Sequence, residues 1–256
     1  MKIIDMRNDN RGIVLTGAVF MIVLAGFLFW LWWQKPRYPM STIGVESYQF
    51  RYIELIKGEP ERGKELPMLI ALHGYGDNAN NFARVLDGID FPVRLIVPEA
   101  YYGKKSWYPL ENQLRGIPIE GRKLQSFIIA IIKKYEPAGK PVLYGFSQGG
   151  NLALYLTLWD PVRFSYVVIE GACLPESLHP EIRRLDVAYP TISQHHGAND
   201  MIYDISQVRR EFSNIHRLGL PITLKAWPTN HKCFYPDRMN ILFDELKEAC
   251  ASAAQK

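Results

Sequence analysis

Ser147 stands in the run Gly145-Phe146-Ser147-Gln148-Gly149, a spacing in which a hydroxyl can be made into a nucleophile. A serine pushed out of a sharp strand-to-helix turn needs very small residues two places before and two places after it, because strand and helix nearly touch there. Gly145 and Gly149 meet that demand. Val142 to Tyr144 reads as an apolar strand and Leu152 to Leu156 as an apolar helix, the flanks that give an otherwise common pattern its meaning. The helix would also direct its first N–H groups and its positive dipole end at the serine, favouring an oxyanion.

A serine hydroxyl is a weak nucleophile until a positioned base takes its proton and an acid orients that base. In elbow enzymes the acid follows the serine in the chain and the histidine follows the acid. Among the six histidines, His73 precedes the serine, and His179, His195 and His196 precede the best acid. His216 falls within an amphipathic helical pattern. His231, in the loop Pro228-Thr229-Asn230-His231-Lys232 after the last expected strand, is the candidate base. Asp200, closing the run Thr191 to Asp200, is the candidate acid, with Gly197 permitting the turn that delivers it. Asp204 and Glu170 are the alternatives, the former equally explained as a helix start.

Stabilising the oxyanion takes backbone donors. The N–H of Gln148, directly after the serine, is one candidate. The N–H of Tyr75 is the second, in Leu72-His73-Gly74-Tyr75-Gly76-Asp77-Asn78 after an early strand. The same loop could simply cap a helix from Ala79 to Leu86 through Asp77 or Asn78.

The elements that must position these residues alternate. Strands are expected at Tyr48–Ile56, Met68–Leu72, Pro92–Val97, the elbow strand, Phe164–Ile169, Ala188–Ser193 and Ile222–Trp227. Helices are expected at Ala79–Leu86, Ile119–Tyr135, Gly149–Leu158, Asp204–Leu218 and Pro236 to about Ala251. This order implies an α/β fold with a mostly parallel central sheet covered by helices on both faces. After Lys35-Pro36-Arg37, a brief polar stretch to Ser47 reads as a linker.

The 256-residue chain carries 48% hydrophobic residues, enough for one sizeable core. Five Lys/Arg and two Asp/Glu fall in residues 1–37, leaving 25 basic against 24 acidic residues in the rest. A nearly neutral body lacks the basic footprint of a nucleic-acid-binding protein. Gly12 to Trp33 holds no charged residue and as a helix would be about 33 Å long, the thickness of a bilayer. It is longer than a signal-peptide core, and Trp30, Trp32 and Trp33 cluster at its end as interfacial anchors do. The expected organisation is an N-terminal membrane anchor over residues 1–37, with a transmembrane helix at about 12–33, and a catalytic domain over residues 38–256. Lys2, Arg7 and Arg11 precede the span and Lys35 and Arg37 follow it, which by the positive-inside comparison puts the catalytic domain on the non-cytoplasmic side. Cys173, Cys233 and Cys250 read as free thiols, a Cys173–Cys233 bridge being the alternative.

Gly145-Phe146-Ser147-Gln148-Gly149-Gly150, His73-Gly74-Tyr75-Gly76-Asp77 and His196-Gly197-Ala198-Asn199-Asp200 together resemble the phospholipase/carboxylesterase and acyl-protein thioesterase branch of the α/β-hydrolases, over roughly residues 45 to 250. The resemblance implies a serine esterase acting on small-molecule esters or thioesters without metal or organic cofactor. It implies Tyr75 and Gln148 as oxyanion donors and Trp107-Tyr108 as an aromatic pair bordering the acyl site. Two departures stand out. Pro228-Thr229-Asn230 replaces the glycine that often precedes the histidine, and Met201-Ile202-Tyr203 replaces the usual valine-proline after the acid. Only Cys173 to Val187 is available as a cap, so an open site for small or medium acyl groups is expected. An amide-cleaving hydrolase with the same triad and a membrane-tethered binding protein without turnover are the rival readings.

Overall fold

In a computed structural model, residues 38–102 and 105–255 are described. The expected anchor, residues 1–37 with its span Gly12–Trp33, lies outside the described residues. Among the described residues no helix is long and apolar enough to cross a membrane.

Eight strands form one sheet: β1 (Ser41–Val45), β2 (Tyr48–Lys57), β3 (Met68–Leu72), β4 (Val93–Pro98), β5 (Val142–Phe146), β6 (Tyr166–Glu170), β7 (Thr191–Gly197) and β8 (Ile222–Trp227). Their spatial order is β1-β2-β4-β3-β5-β6-β7-β8. The β1–β2 and β2–β4 pairs are antiparallel, and every pair from β4 to β8 is parallel. The helices are α1 (Ala79–Val85), α2 (Gln113–Tyr135), α3 (Gln148–Trp159), α4 (Ile205–Arg217) and α5 (Met239–Ala253). This is the mostly parallel, helix-covered sheet that the alternation implied and the α/β-hydrolase arrangement that the resemblance implied.

Adjacent residues of a strand face opposite sides, and β5 shows both being covered. Leu143 joins a cluster with Phe127 and Ile128 of α2 and Leu152 of α3. Tyr144 stacks on Phe82 of α1, with ring centroids 5.6 Å apart. On α2, Leu124, Phe127, Ile128 and Ile131 are all buried, each such side chain worth about 1.5–3 kcal/mol relative to exposure.

The parallel register also collects the chemistry. Leu72 pairs with Gly145, Phe146 with Glu170, Glu170 with His195, and Gly197 with Trp227. The segments leaving β3, β5, β7 and β8 therefore emerge along one edge of the sheet, and they carry His73, Ser147, Asp200 and His231. Such carboxyl-end crevices are where open α/β sheets bind ligands.

Three expected boundaries shift the most. Ser41–Val45, assigned to the linker, is an antiparallel edge strand whose residues alternate between half-buried and exposed. Strand β7 runs to Gly197 instead of stopping at Ser193, because the polar run from Ser193 to His196 is buried, its backbone paired with β6 and β8 and its side chains bonded to partners such as Glu211, Glu245 and the Tyr203 carbonyl. Helix α2 begins at Gln113, six residues early, and carries Pro118 inside it.

Candidate active site

Ser147 has φ 53° and ψ −116°, a conformation that costs a residue with a side chain on the order of 1–3 kcal/mol. Its surroundings hold it there. Its N–H donates to the Glu170 carbonyl at 2.8 Å, and its own carbonyl accepts from Asn151 N–H at 3.0 Å, opening α3. A Cβ on Gly145 would lie 2.5 Å from the Gly149 carbonyl oxygen, and one on Gly149 would lie 2.6 Å from that of His73. Neither position tolerates a side chain, as the spacing of the motif requires.

His231 reaches the elbow from the loop after β8. Its Nε2 is 2.9 Å from Ser147 Oγ, placed to accept a hydrogen bond from the hydroxyl, while its Nδ1–H donates to Asp200 Oδ2 at 2.8 Å. Asp200 Oδ1 is taken up by its own loop, accepting from Ile202 N–H at 2.7 Å and Tyr203 N–H at 3.3 Å. That leaves Oδ2 for the imidazole. His196 Nε2–H adds a donor beside it, 2.8 Å from the Tyr203 carbonyl and 3.2 Å from Asp200 Oδ2. Burial lowers the His196 pKa, keeping the ring neutral in this donor tautomer. Gly197 has a reason beyond the turn it permits: a Cβ there would strike the Asn230 carbonyl oxygen, so the base loop lies directly against it.

The alternative acids and base are elsewhere engaged. Asp204 caps α4 by accepting from Ser206 N–H at 2.8 Å, and His216 sits in the last turn of α4 against Phe212. Glu170 accepts from the backbone N–H groups of Cys233 and Phe234.

On the oxyanion side, the Gln148 N–H opens α3, where the first donors have no partner within the helix. The loop carrying Tyr75 runs alongside: a Cβ on Gly74 would sit 3.4 Å from Ser147 Cβ. Tyr75 itself turns its ring to solvent. His73 braces this loop, its Nδ1–H donating to the Gly74 carbonyl at 2.8 Å and its Nε2 accepting from Ala100 N–H at 3.2 Å. An accepting Nε2 demands a neutral ring, and burial lowers the His73 pKa accordingly. Asn78 caps α1, accepting from Asn81 N–H at 3.0 Å, so one loop both caps a helix and borders the serine.

Trp107 and Tyr108 are the aromatic pair expected to border the acyl site. Both are fully buried. Trp107 Nε1–H donates to the His73 carbonyl at 2.8 Å, and Tyr108 O–H accepts from Asn151 Nδ2–H at 3.1 Å. The Gln148 side chain clasps their loop: Oε1 accepts from Trp107 N–H at 2.8 Å and Nε2–H donates to the Tyr108 carbonyl at 2.7 Å. The pair packs behind the Gly74-Tyr75 loop, its polar atoms taken up by the His73 carbonyl and by the side chains of Asn151 and Gln148.

The phospholipase/carboxylesterase family model matches residues 57–243, which contain every one of these groups. The chain belongs to that family. Among solved structures this esterase is similar to esterase PE8, at 22% identity and TM-score 0.65 over 77% of this chain and 97% of that one. It is also similar to a carboxylesterase from Mesorhizobium loti, at 19% identity and TM-score 0.66 over 81% and 98%. An acyl-protein thioesterase 2 from Zea mays matches at 20% identity and TM-score 0.61 over 78% and 99%. At these identities the likeness establishes the fold. The family establishes an esterase-type hydrolase with small-molecule ester substrates.

Two groups in the esterase's site belong to no sequence motif. Asn151 is completely buried and joins three elements, donating to Tyr108 and Tyr203 hydroxyls at 3.1 Å each and accepting from Cys173 N–H at 3.0 Å. Tyr203, one of the residues standing where the family has valine-proline, places its ring 6.1 Å from that of His231. The one signal in the sequence is a polar residue directly before the apolar run Leu152 to Leu156. The cysteines are unpaired thiols, and burial pushes Cys173 up to about 12, far from a competing nucleophile. Among the described residues no group of His, Cys, Asp and Glu side chains gathers as a metal site.

One hollow borders the elbow at Phe146, and a second borders the segments that carry Cys173 and Tyr203. The first, of ≈ 190 Å³, lined by Phe82, Val85, Phe146 and Met239 with Glu170 and Lys232, lies on the α1–α5 side. The second, of ≈ 350 Å³, is bordered by Cys173, Leu174, Tyr203 and Arg210. Between β6 and β7 the chain forms a single 3₁₀ turn, Glu176–Leu178, so no helical lid arises there.

Proposed function

We propose that this esterase hydrolyses carboxylic esters or thioesters of small to medium acyl groups through an acyl-enzyme on Ser147. Ser147 Oγ attacks the acyl carbonyl as His231 Nε2 takes its proton, and the N–H groups of Gln148 and Tyr75 receive the oxyanion. His231 then protonates the departing alcohol or thiol, the carbonyl re-forms, and water hydrolyses the acyl-serine by the same route. Asp200 keeps the imidazole in the tautomer with its proton on Nδ1 and stabilises the imidazolium. The observation that supports this most is one imidazole standing 2.9 Å from Ser147 Oγ and 2.8 Å from Asp200 Oδ2. Each oxyanion donor should contribute about 2.7–4 kcal/mol to the barrier reduction.

We further propose that Gly12–Trp33 anchors this activity to a membrane, with the catalytic domain on the non-cytoplasmic side. Its support is the uncharged length of that stretch and the three tryptophans at its end. Retention of the full chain in the pellet after alkaline carbonate extraction is the expected result; release into the supernatant would refute the anchor.

The activity is tested with the full chain on p-nitrophenyl esters, the matching acyl-thioesters and an acyl anilide of graded chain length. Turnover of esters or thioesters exceeding that of the anilide at every length is expected. Preferential anilide cleavage would make the protein an amidase.

A further inference from the structure

Glu170 ends β6 with its side chain almost wholly buried, and every oxygen it owns is tied to the active-site scaffold. Its carbonyl accepts from Ser147 N–H at 2.8 Å. Carboxylate Oε1 accepts from Cys233 N–H at 2.6 Å and Phe234 N–H at 3.1 Å, two and three residues beyond His231. Oε2 accepts from Tyr144 O–H at 2.5 Å, on the strand that delivers the serine. A single residue therefore joins the backbone of the nucleophile to the backbone that follows the base.

We propose that Glu170 is the positioning residue that sets the distance between His231 Nε2 and Ser147 Oγ. Before His231 the base loop is held against β7, where Asn199 N–H donates to the Thr229 carbonyl at 2.9 Å; after His231 its N–H groups at Cys233 and Phe234 end on Glu170. Loops that carry functional groups are mobile unless their backbone polar groups find partners, and two consecutive N–H groups ending on one buried carboxylate provide them. Hydrogen bonds to a charged acceptor are shorter and stronger than neutral ones. Burial raises the Glu170 pKa, while the donors from Tyr144, Phe234 and Cys233 pull against it; the geometric role needs only acceptor oxygens. A displacement of the order of 1 Å in such a base costs up to about 100-fold in rate.

This inference rests on the proposed Ser147–His231–Asp200 mechanism, and the experiment separates the two. On the full chain, Ser147→Ala, Glu170→Ala, Glu170→Gln and Tyr144→Phe are compared by kcat and KM on one ester, with thermal melting as the folding control. The downfield proton resonance of His231 Nδ1–H is the direct readout. For Glu170→Ala the expectation is a kcat loss of about tenfold or more with KM little changed and a shifted or broadened Nδ1–H signal. Glu170→Gln, which keeps an acceptor for Cys233 and Phe234, recovers most of that loss. A folded Glu170→Ala with unchanged kcat and resonance overturns the proposal, as does Glu170→Gln being as slow as Glu170→Ala. Should Glu170→Ala fail to fold, Tyr144→Phe carries the test: a several-fold fall in kcat at constant KM supports the proposal, and an unchanged kcat overturns it. Full turnover by Ser147→Ala removes the nucleophile assignment and this inference with it, whereas an inactive Ser147→Ala beside an undisturbed Glu170→Ala removes this inference alone.

Discussion

Asp200 and Glu170 are both buried carboxylates at the carboxyl ends of neighbouring strands, and both are within the reach of the loop that carries His231. Their difference is in which donors they meet. Asp200 spends one oxygen on its own turn and leaves the other for the imidazole. Glu170 spends both on two backbone N–H groups and a tyrosine hydroxyl. Two acids of the same chemistry, a few residues apart in the fold, thus acquire different tasks because their lone pairs are filled in different ways. Position near the base does not decide which acid orients it.

The sharpest way to break this comparison is Asp200→Asn. An amide there offers N–H toward the Nδ1 proton and favours the wrong tautomer; a fall in kcat of about 10³-fold or more is expected, without loss of fold. If Asp200→Asn were mild while Glu170→Gln were as damaging as that, the two acids would have to exchange roles. Next comes Gly197→Ala, whose methyl would collide with the Asn230 carbonyl and push the base loop off the serine. Its kcat should fall by roughly 100-fold, and unchanged turnover would mean that the loop is not held against β7.

A smaller effect separates buttress from pocket. Trp107→Phe removes the indole N–H bonded to the His73 carbonyl, a loss of about 1 kcal/mol, or roughly fivefold in kcat if all of it is felt in the transition state. The loss should be uniform across acyl-chain lengths. A change in chain-length preference would return Trp107 to the acyl site.

The smallest expected effect concerns a third buried acid. Glu211 on α4 accepts from Leu174 N–H and from Gln194 Nε2–H, the latter at 2.8 Å, and burial pushes it up to about 8 from 4.5. The folded chain holds a proton across that window that the unfolded chain has released. Its contribution to stability is therefore complete below about pH 4.5 and is lost as pH rises toward about 8. Glu211→Gln cannot titrate, so its unfolding free energy relative to the parent should improve steadily over that range. A parallel pair of stability curves would contradict the buried, proton-holding state.

How much of this the sequence disclosed depended on whether the signal was local. Gly145 and Gly149 betray the elbow because the turn's own sterics demand them, and the apolar runs on either side announce strand and helix. Asp200 and His231 were legible through chain order and loop position. Trp107 and Tyr108 were not, because an aromatic pair in a loop reads equally as pocket lining or as packing; only the indole N–H ending on His73 distinguishes them. The extension of β7 through His195 and His196 was hidden because its polar side chains find partners far away in the chain, such as Glu245, 2.9 Å from His195 Nε2. Ser41–Val45 is an edge strand interrupted by Gly44, too short and too exposed to stand out from a linker. Gln148 drew notice for its amide, while its side chain's hold on residues 106–108 is a contact across 42 positions that no local pattern records.

The account stands on His231 activating Ser147, and a fluorophosphonate probe followed by peptide mass spectrometry addresses that most directly. The parent chain should carry one phosphonyl adduct, on the peptide containing Ser147, and His231→Ala should label at a small fraction of the parent rate while still melting cooperatively. Labelling at another residue, or labelling of His231→Ala as fast as the parent, would contradict it.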